Sequence, residues 1–103
     1  MTSAKDLFTT CGGAIADAEQ SQMFGKPCFK ISGKAFVCFF QDCMVFKLTR
    51  DAHGTALSLT GALLFDPSGK GRAMKEWVQV PVEHAALWPD LTQSAWNYVR
   101  PAG

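Results

Sequence analysis

Four cysteines and two histidines are the side chains of this 103-residue chain best suited to covalent or metal chemistry. Cys11, Cys28, Cys38 and Cys43 are spaced 17, 10 and 5 residues apart, and His53 and His84 follow them. A zinc site usually takes two ligands from one turn, which needs a close pair such as Cys-x-x-Cys, and no such pair is present. Cys38 and Cys43 could face each other across a hairpin and there oxidise or bind an ion. The simpler expectation is that all four thiols are small buried hydrophobes in a reducing compartment. A cysteine nucleophile with His53 or His84 as its base would have to assemble in space. No local sequence feature supports one, so no catalytic residue, metal or cofactor is assigned and enzymatic work is not expected.

Asp66 and Glu76 flank a glycine loop and could form a carboxylate pair, but they read more simply as solvated loop and edge charges. Within that loop, Ser68-Gly69-Lys70-Gly71-Arg72 has the glycines and cations that can cradle an anion. It is not a nucleotide loop. That motif needs Gly-x-x-x-x-Gly-Lys followed by Ser or Thr and then a helix, whereas here Gly71 follows Lys70 and a strand is expected next. Lys26, Lys30 and Lys34 interleave with Phe24, Phe29 and Phe36. Aromatic and basic residues alternating on a sheet can stack bases and neutralise phosphates. The ribonucleoprotein sheet motif is absent, however, and an isoelectric point near 7.7 is low for a dedicated nucleic-acid binder.

The elements that must position these residues follow from composition and periodicity. One domain spanning 1–103 is expected from the length, and a chain of 11.2 kDa can bury about 65% of its unfolded surface in one core. With 48% hydrophobic and 18% charged residues, disorder and collagen are excluded. The longest apolar run, Ala35–Phe40, has six residues, against about 20 for a membrane-spanning helix. No secretory leader follows Met1, so the cytoplasm is the expected compartment. The formal net charge is +1, but it is uneven: −2 over residues 1–25, +4 over 26–50, +1 over 51–75 and −2 over 76–103.

Ser3 with Asp6 has the spacing of a capping box, and Leu7, Cys11, Ile15 and Ala18 continue at helical spacing, predicting a first helix that ends before Ser21. Gly12-Gly13 weakens it. Three strands are expected next, at Cys28–Ile31, Ala35–Phe40 and Met44–Leu48, joined by turns at Ser32-Gly33 and Gln41-Asp42. Simple alternation puts Phe36, Cys38 and Phe40 on one face of the middle strand and Val37 and Phe39 on the other. A short helix over Asp51–Leu59, strands at Ala62–Phe65 and Met74–Val80, and a helix over Pro89–Val99 complete the order α-β-β-β-α-β-β-α. Leu87, Leu91, Ala95 and Tyr98 or Val99 form the inward stripe of the last helix, flanked by Trp88 and Trp96. This is an α+β domain with a five-stranded antiparallel sheet and flanking helices. A free sheet edge offers a route to a homodimer.

Met23-Phe24-Gly25-Lys26, then Met44-Val45-Phe46-Lys47, then Gly71-Arg72-Ala73-Met74 with Trp77-Val78-Gln79-Val80-Pro81, occur in that order ahead of the final helix. In these motifs the chain resembles the N-terminal domain of the TfoX (Sxy) competence-regulator family over roughly residues 20–100. The resemblance implies a bacterial α+β domain akin to YjbR-like folds, here as a stand-alone member. It implies regulation through a protein partner rather than catalysis, and carries no catalytic residues. The exposed basic residues Lys26, Lys70, Arg72 and Lys75 are the expected interaction surface. Direct nucleic-acid binding through the same residues is the alternative.

Overall fold

A computed structural model describes residues 3–23, 25–66, 71 and 74–100. The class is α+β as expected, but the sheet has six antiparallel strands rather than five. The elements are α1 (Ala4–Gly13), β1 (Glu19–Met23), β2 (Lys26–Ile31), β3 (Lys34–Phe40), β4 (Cys43–Lys47), α2 (Arg50–Leu57), β5 (Leu63–Phe65), β6 (Met74–Pro81), a 3-10 turn (Val82–Leu87) and α3 (Trp88–Val99). Across the sheet the order is β1-β2-β3-β4-β6-β5. The first four strands form a meander, while β6 inserts between β4 and β5.

The extra strand, β1, falls where the first helix was expected to continue. The capping box starts α1 as expected: the Asp6 amide donates to Ser3 Oγ at 3.1 Å and the Ser3 amide to Asp6 Oδ2 at 3.3 Å. The helix stops at Gly13. The adjacent glycines withdraw helical stability there, and Asp17 turns the chain with a φ of 67°. Glu19–Met23 then pairs with β2, Glu19 opposite Lys30 and Met23 opposite Lys26. Ile15 and Ala18, the apolar residues that mimicked a longer helix, still pack against the core.

All three helices cover one face of the sheet. Phe8 of α1, Ala56 of α2, and Trp88, Leu91, Ala95 and Val99 of α3 bury against Phe29, Val37, Met44, Phe46, Val78 and Val80. The stripe of α3 is therefore centred on Trp88, which is fully buried, whereas Leu87 is 40% exposed. Leu87 ends the 3-10 turn, and the helical spacing i, i+3, i+4 runs from Trp88. Tyr98 pins α3 to β6 from outside: its hydroxyl donates to Glu76 Oε2.

Strand alternation fails at one place. Ile31 pairs with Lys34 and Lys30 with Ala35, but Phe29 pairs with Val37 and Cys28 with Cys38. One residue, Phe36, is extra on β3, a β-bulge that shifts the register by one. Phe36 thus joins Val37 in the helix-side core, leaving Cys38 and Phe40 on the opposite face.

Among the described residues no helix covers that opposite face, yet Cys28, Cys38, Val45, Phe65 and Trp77 are buried there in a second core. The sheet covers itself. Phe40 on β3 and Phe65 on β5 stand three strand spacings apart in the lateral order, and their rows meet β6 at Pro81 and Met74, so a flat sheet would separate them by roughly 27 Å. Their ring centroids lie 5.5 Å apart in an edge-to-face contact. The sheet must curl to bring them together, and the two register shifts, at β2/β3 and at Leu64/Phe65, are where such curling is generated.

Candidate functional site

The curled face carries Cys28 and Cys38, and the Lys26 ammonium reaches it. Lys26 opens β2 and extends its ammonium over the Phe40 ring, 4.9 Å from the centroid. Cations are attracted to the negative face of an aromatic ring at that range. Phe40 in turn meets Phe65, the last residue of β5. Phe65 pairs with Met74, and Lys75 follows it exposed at the start of β6. The curl therefore carries Lys26 to the base of the β5–β6 connection. Lys70 and Arg72 belong to that connection and lie outside the described residues, as does Phe24. The Gly71 amide donates to Asp66 Oδ2 at 2.8 Å, so Asp66 works as a loop-shaping acceptor. Glu76 is committed to Tyr98, so the two carboxylates considered as a pair have separate tasks.

The aromatic residues proposed for base stacking are placed elsewhere. Phe29 and Phe36 are in the helix-side core, where Phe29 packs on Phe8 with centroids 5.2 Å apart.

The cysteines sort by position. Cys11 is half-buried on α1. Cys38 and Cys43 do not face each other: the two-residue turn at Gln41-Asp42 sets Phe40 opposite Cys43 and Val45 opposite Cys38. Cys43 instead accepts a 3.6 Å hydrogen bond from Gln79 Nε2. The direct pair is Cys28 with Cys38, neighbours on adjacent strands and both fully buried. All four thiols are held in the protonated form chiefly by burial. Burial pushes Cys38 up to about 12, the neighbouring Cys28 adds to the shift, and Lys26 opposes it.

Neither histidine is within the cysteine clusters. His53 Nε2 bonds the Lys75 carbonyl at 2.8 Å, tying α2 to β6, and His84 Nε2 bonds the Thr60 carbonyl at 2.8 Å. Among the described residues no group of three or more His, Cys, Asp or Glu side chains is placed to hold a metal ion. None of their helices is long and apolar enough to cross a membrane. An open cleft of about 630 Å³ lies away from the curled face, lined by Asp17, Glu19, Ile31, Trp96 and Arg100 among others. Arg100 stacks on Trp96 there at 5.1 Å from the centroid.

The Cys28–Cys38 pairing escaped the sequence because a plain hairpin counted from the Ser32-Gly33 turn places Cys28 opposite Val37. Only the bulge brings the two cysteines together. No family model, curated protein or solved structure matches the chain in the three comparisons made with known proteins.

Proposed function

We propose that the chain is a non-enzymatic interaction domain of the kind its resemblance to TfoX N-terminal domains implies, acting in the cytoplasm of a bacterium through an acidic protein partner. The observation that carries this reading is the contact series Lys26–Phe40–Phe65, which brings the β2 lysine to the root of the loop bearing Lys70 and Arg72, beside Lys75. Lys26, held over the Phe40 ring before binding, is suited to a carboxylate of an acidic segment. The thiols and imidazoles are occupied in ways that fit binding better than catalysis. Burial keeps the thiols protonated, and both imidazoles bond backbone carbonyls.

The test is fluorescence anisotropy with two labelled probes, an oligoglutamate peptide and a 20-base-pair DNA duplex, at low and at physiological salt. The expected result is salt-dependent binding of the peptide, reduced at least tenfold by Lys26→Glu and by Lys75→Glu. DNA should bind less tightly than the peptide. Tighter binding of the duplex, with affinity falling steeply as salt rises, would assign the surface to nucleic acid instead. Failure of the wild-type chain to bind either probe at low salt would remove the proposed surface.

A further inference from the structure

We infer that Cys28 and Cys38 form a latent dithiol site, which a small-molecule disulfide oxidises to a bridge between β2 and β3. The two residues are directly opposed Cα partners in the antiparallel ladder, on the same face, in the same buried cluster. Opposed residues in such a ladder have Cα atoms about 4.5–5.5 Å apart, inside the window of about 4.4–6.8 Å that a disulfide spans. The strands need not slide for the bond to form. Cys43 does not compete, because it is diagonal to Cys38 rather than opposite, and diagonal neighbours stand about 7–8 Å apart. Cys11 lies on α1, which packs on the other face.

The electrostatics place the two sulfurs in each other's field. A charge on Cys28 disfavours one on Cys38, while Lys26 and Lys30 favour the thiolates at Cys38 and Cys28 respectively. Burial outweighs the lysines, so the pair rests as two thiols.

Oxidised glutathione is a sufficient co-reactant. Transient opening of the curled face brings the otherwise buried Cys28 to solvent; its thiol loses a proton to water, and the thiolate attacks one sulfur of glutathione disulfide. The first glutathione leaves as a thiolate that takes up a proton, and a mixed disulfide remains on Cys28. The Cys38 thiol then gives up its proton and attacks the Cys28 sulfur, expelling the second glutathione. Two protein thiols are oxidised to one disulfide, and one glutathione disulfide is reduced to two thiols.

The bridge closes an eleven-residue loop from Cys28 to Cys38. By loop-closure entropy it favours the folded state by about a hundredfold. Its natural consequence is a β2–β3 hairpin, and hence a curled face, that is locked under oxidising conditions and released under reducing ones.

The native protein is incubated with glutathione disulfide at pH 8, quenched with acid, alkylated under denaturing conditions and digested for peptide mapping. The expected product contains a Cys28–Cys38 cross-linked peptide, whether or not glutathione has also added to the more accessible Cys11 and Cys43, with a thermal midpoint raised above that of the reduced protein and restored by dithiothreitol. Cys43→Ser should leave the bridge intact. A bridge involving Cys43, a disulfide-linked dimer, or Cys28 and Cys38 still free after prolonged incubation would overturn the inference. The mapping uses the wild-type chain, so it stands whether or not Cys28→Ser and Cys38→Ser variants fold.

Discussion

Replacing Gly12 with alanine should destabilise the protein even though alanine is the better helix former. A Cβ at Gly12 would lie 2.1 Å from Phe29 Cδ2 and 2.2 Å from Cε2, where ordinary contact begins at 3.4 Å. The ring or the helix must therefore move by about 1.3 Å. Phe29 cannot retreat easily, because it is buried and packed against the Phe8 ring. Overpacking of this kind costs about 1–3 kcal/mol, against a helix-propensity gain of at most about 1 kcal/mol, less near a helix end. The net loss is about 1–2 kcal/mol, and each kcal/mol lowers the thermal midpoint of a domain this size by about 4–8 °C. Gly13 supplies the control, since a Cβ there meets nothing within 4 Å. Gly13→Ala should raise the midpoint slightly. The assay is circular-dichroism melting with urea titration of the wild type, Gly12→Ala, Gly13→Ala, Phe29→Leu and the Gly12→Ala/Phe29→Leu double variant. In the Phe29→Leu background the penalty of Gly12→Ala should shrink by at least half. An equal penalty in both backgrounds, or a Gly12→Ala protein as stable as the wild type, would refute the reasoning.

Tyr98 is the chain's one tyrosine, so absorbance at 295 nm titrates it alone. Its hydrogen bond to Glu76 raises its pKa above the usual 10.0, and Glu76→Gln should bring the midpoint down toward that value. Because the folded pKa is the higher one, the associated stability is full below pH 10 and is lost as pH rises through the folded value; a Tyr98 midpoint at or below 10 in the wild type would contradict the contact. Thiol titration under native conditions at pH 8 should split into two classes, half-buried Cys11 and Cys43 reacting first and fully buried Cys28 and Cys38 last. With a pKa pushed up to about 12, Cys38 is a thiolate in roughly one molecule in ten thousand at that pH; rapid labelling of Cys38 would rule out the closed face. Asp42 holds a φ of 61° in the two-residue β3–β4 turn, so Asp42→Gly should stabilise by about 0.5–1 kcal/mol by relieving left-handed backbone strain, and a lowered urea midpoint would mean the Asp42 side chain outweighs that strain.

Much of the fold was legible because its signals were local. The capping box at Ser3 and Asp6, the strand runs of the meander and the two-residue turns all act within a few positions. β1 was not legible: Glu19–Met23 is polar except for Met23, with exposed Glu19, Gln20 and Gln22, and it is a strand because β2 offers it a hydrogen-bonding edge. Tertiary pairing there overrides intrinsic preference. The bulge at Phe36 was equally hidden, since one inserted residue leaves no compositional mark, yet it moved Phe36 across the sheet and matched Cys28 with Cys38. Of the proposed interaction surface, Lys26, Lys70, Arg72 and Lys75 are readable in the sequence as basic residues. What it could not supply was the curl that carries Lys26 toward the β5–β6 connection, because that depends on Phe40 meeting a ring 25 residues further along.

The place of β6 between β4 and β5 has a consequence for how the chain acquires its structure during synthesis. β1 to β4 pair only with sequence neighbours, through short turns, and such hairpins form in about 1–10 μs. They can zip as soon as Lys47 has been made. β5 then emerges with no strand to join, because its partner β6 is still to come and must first dock on β4. Closing that non-local pair is the slow entropic step. Until it closes, the flank of β4 and the apolar residues of β5 wait uncovered, a window in which a nascent chain would meet chaperones or its own copies.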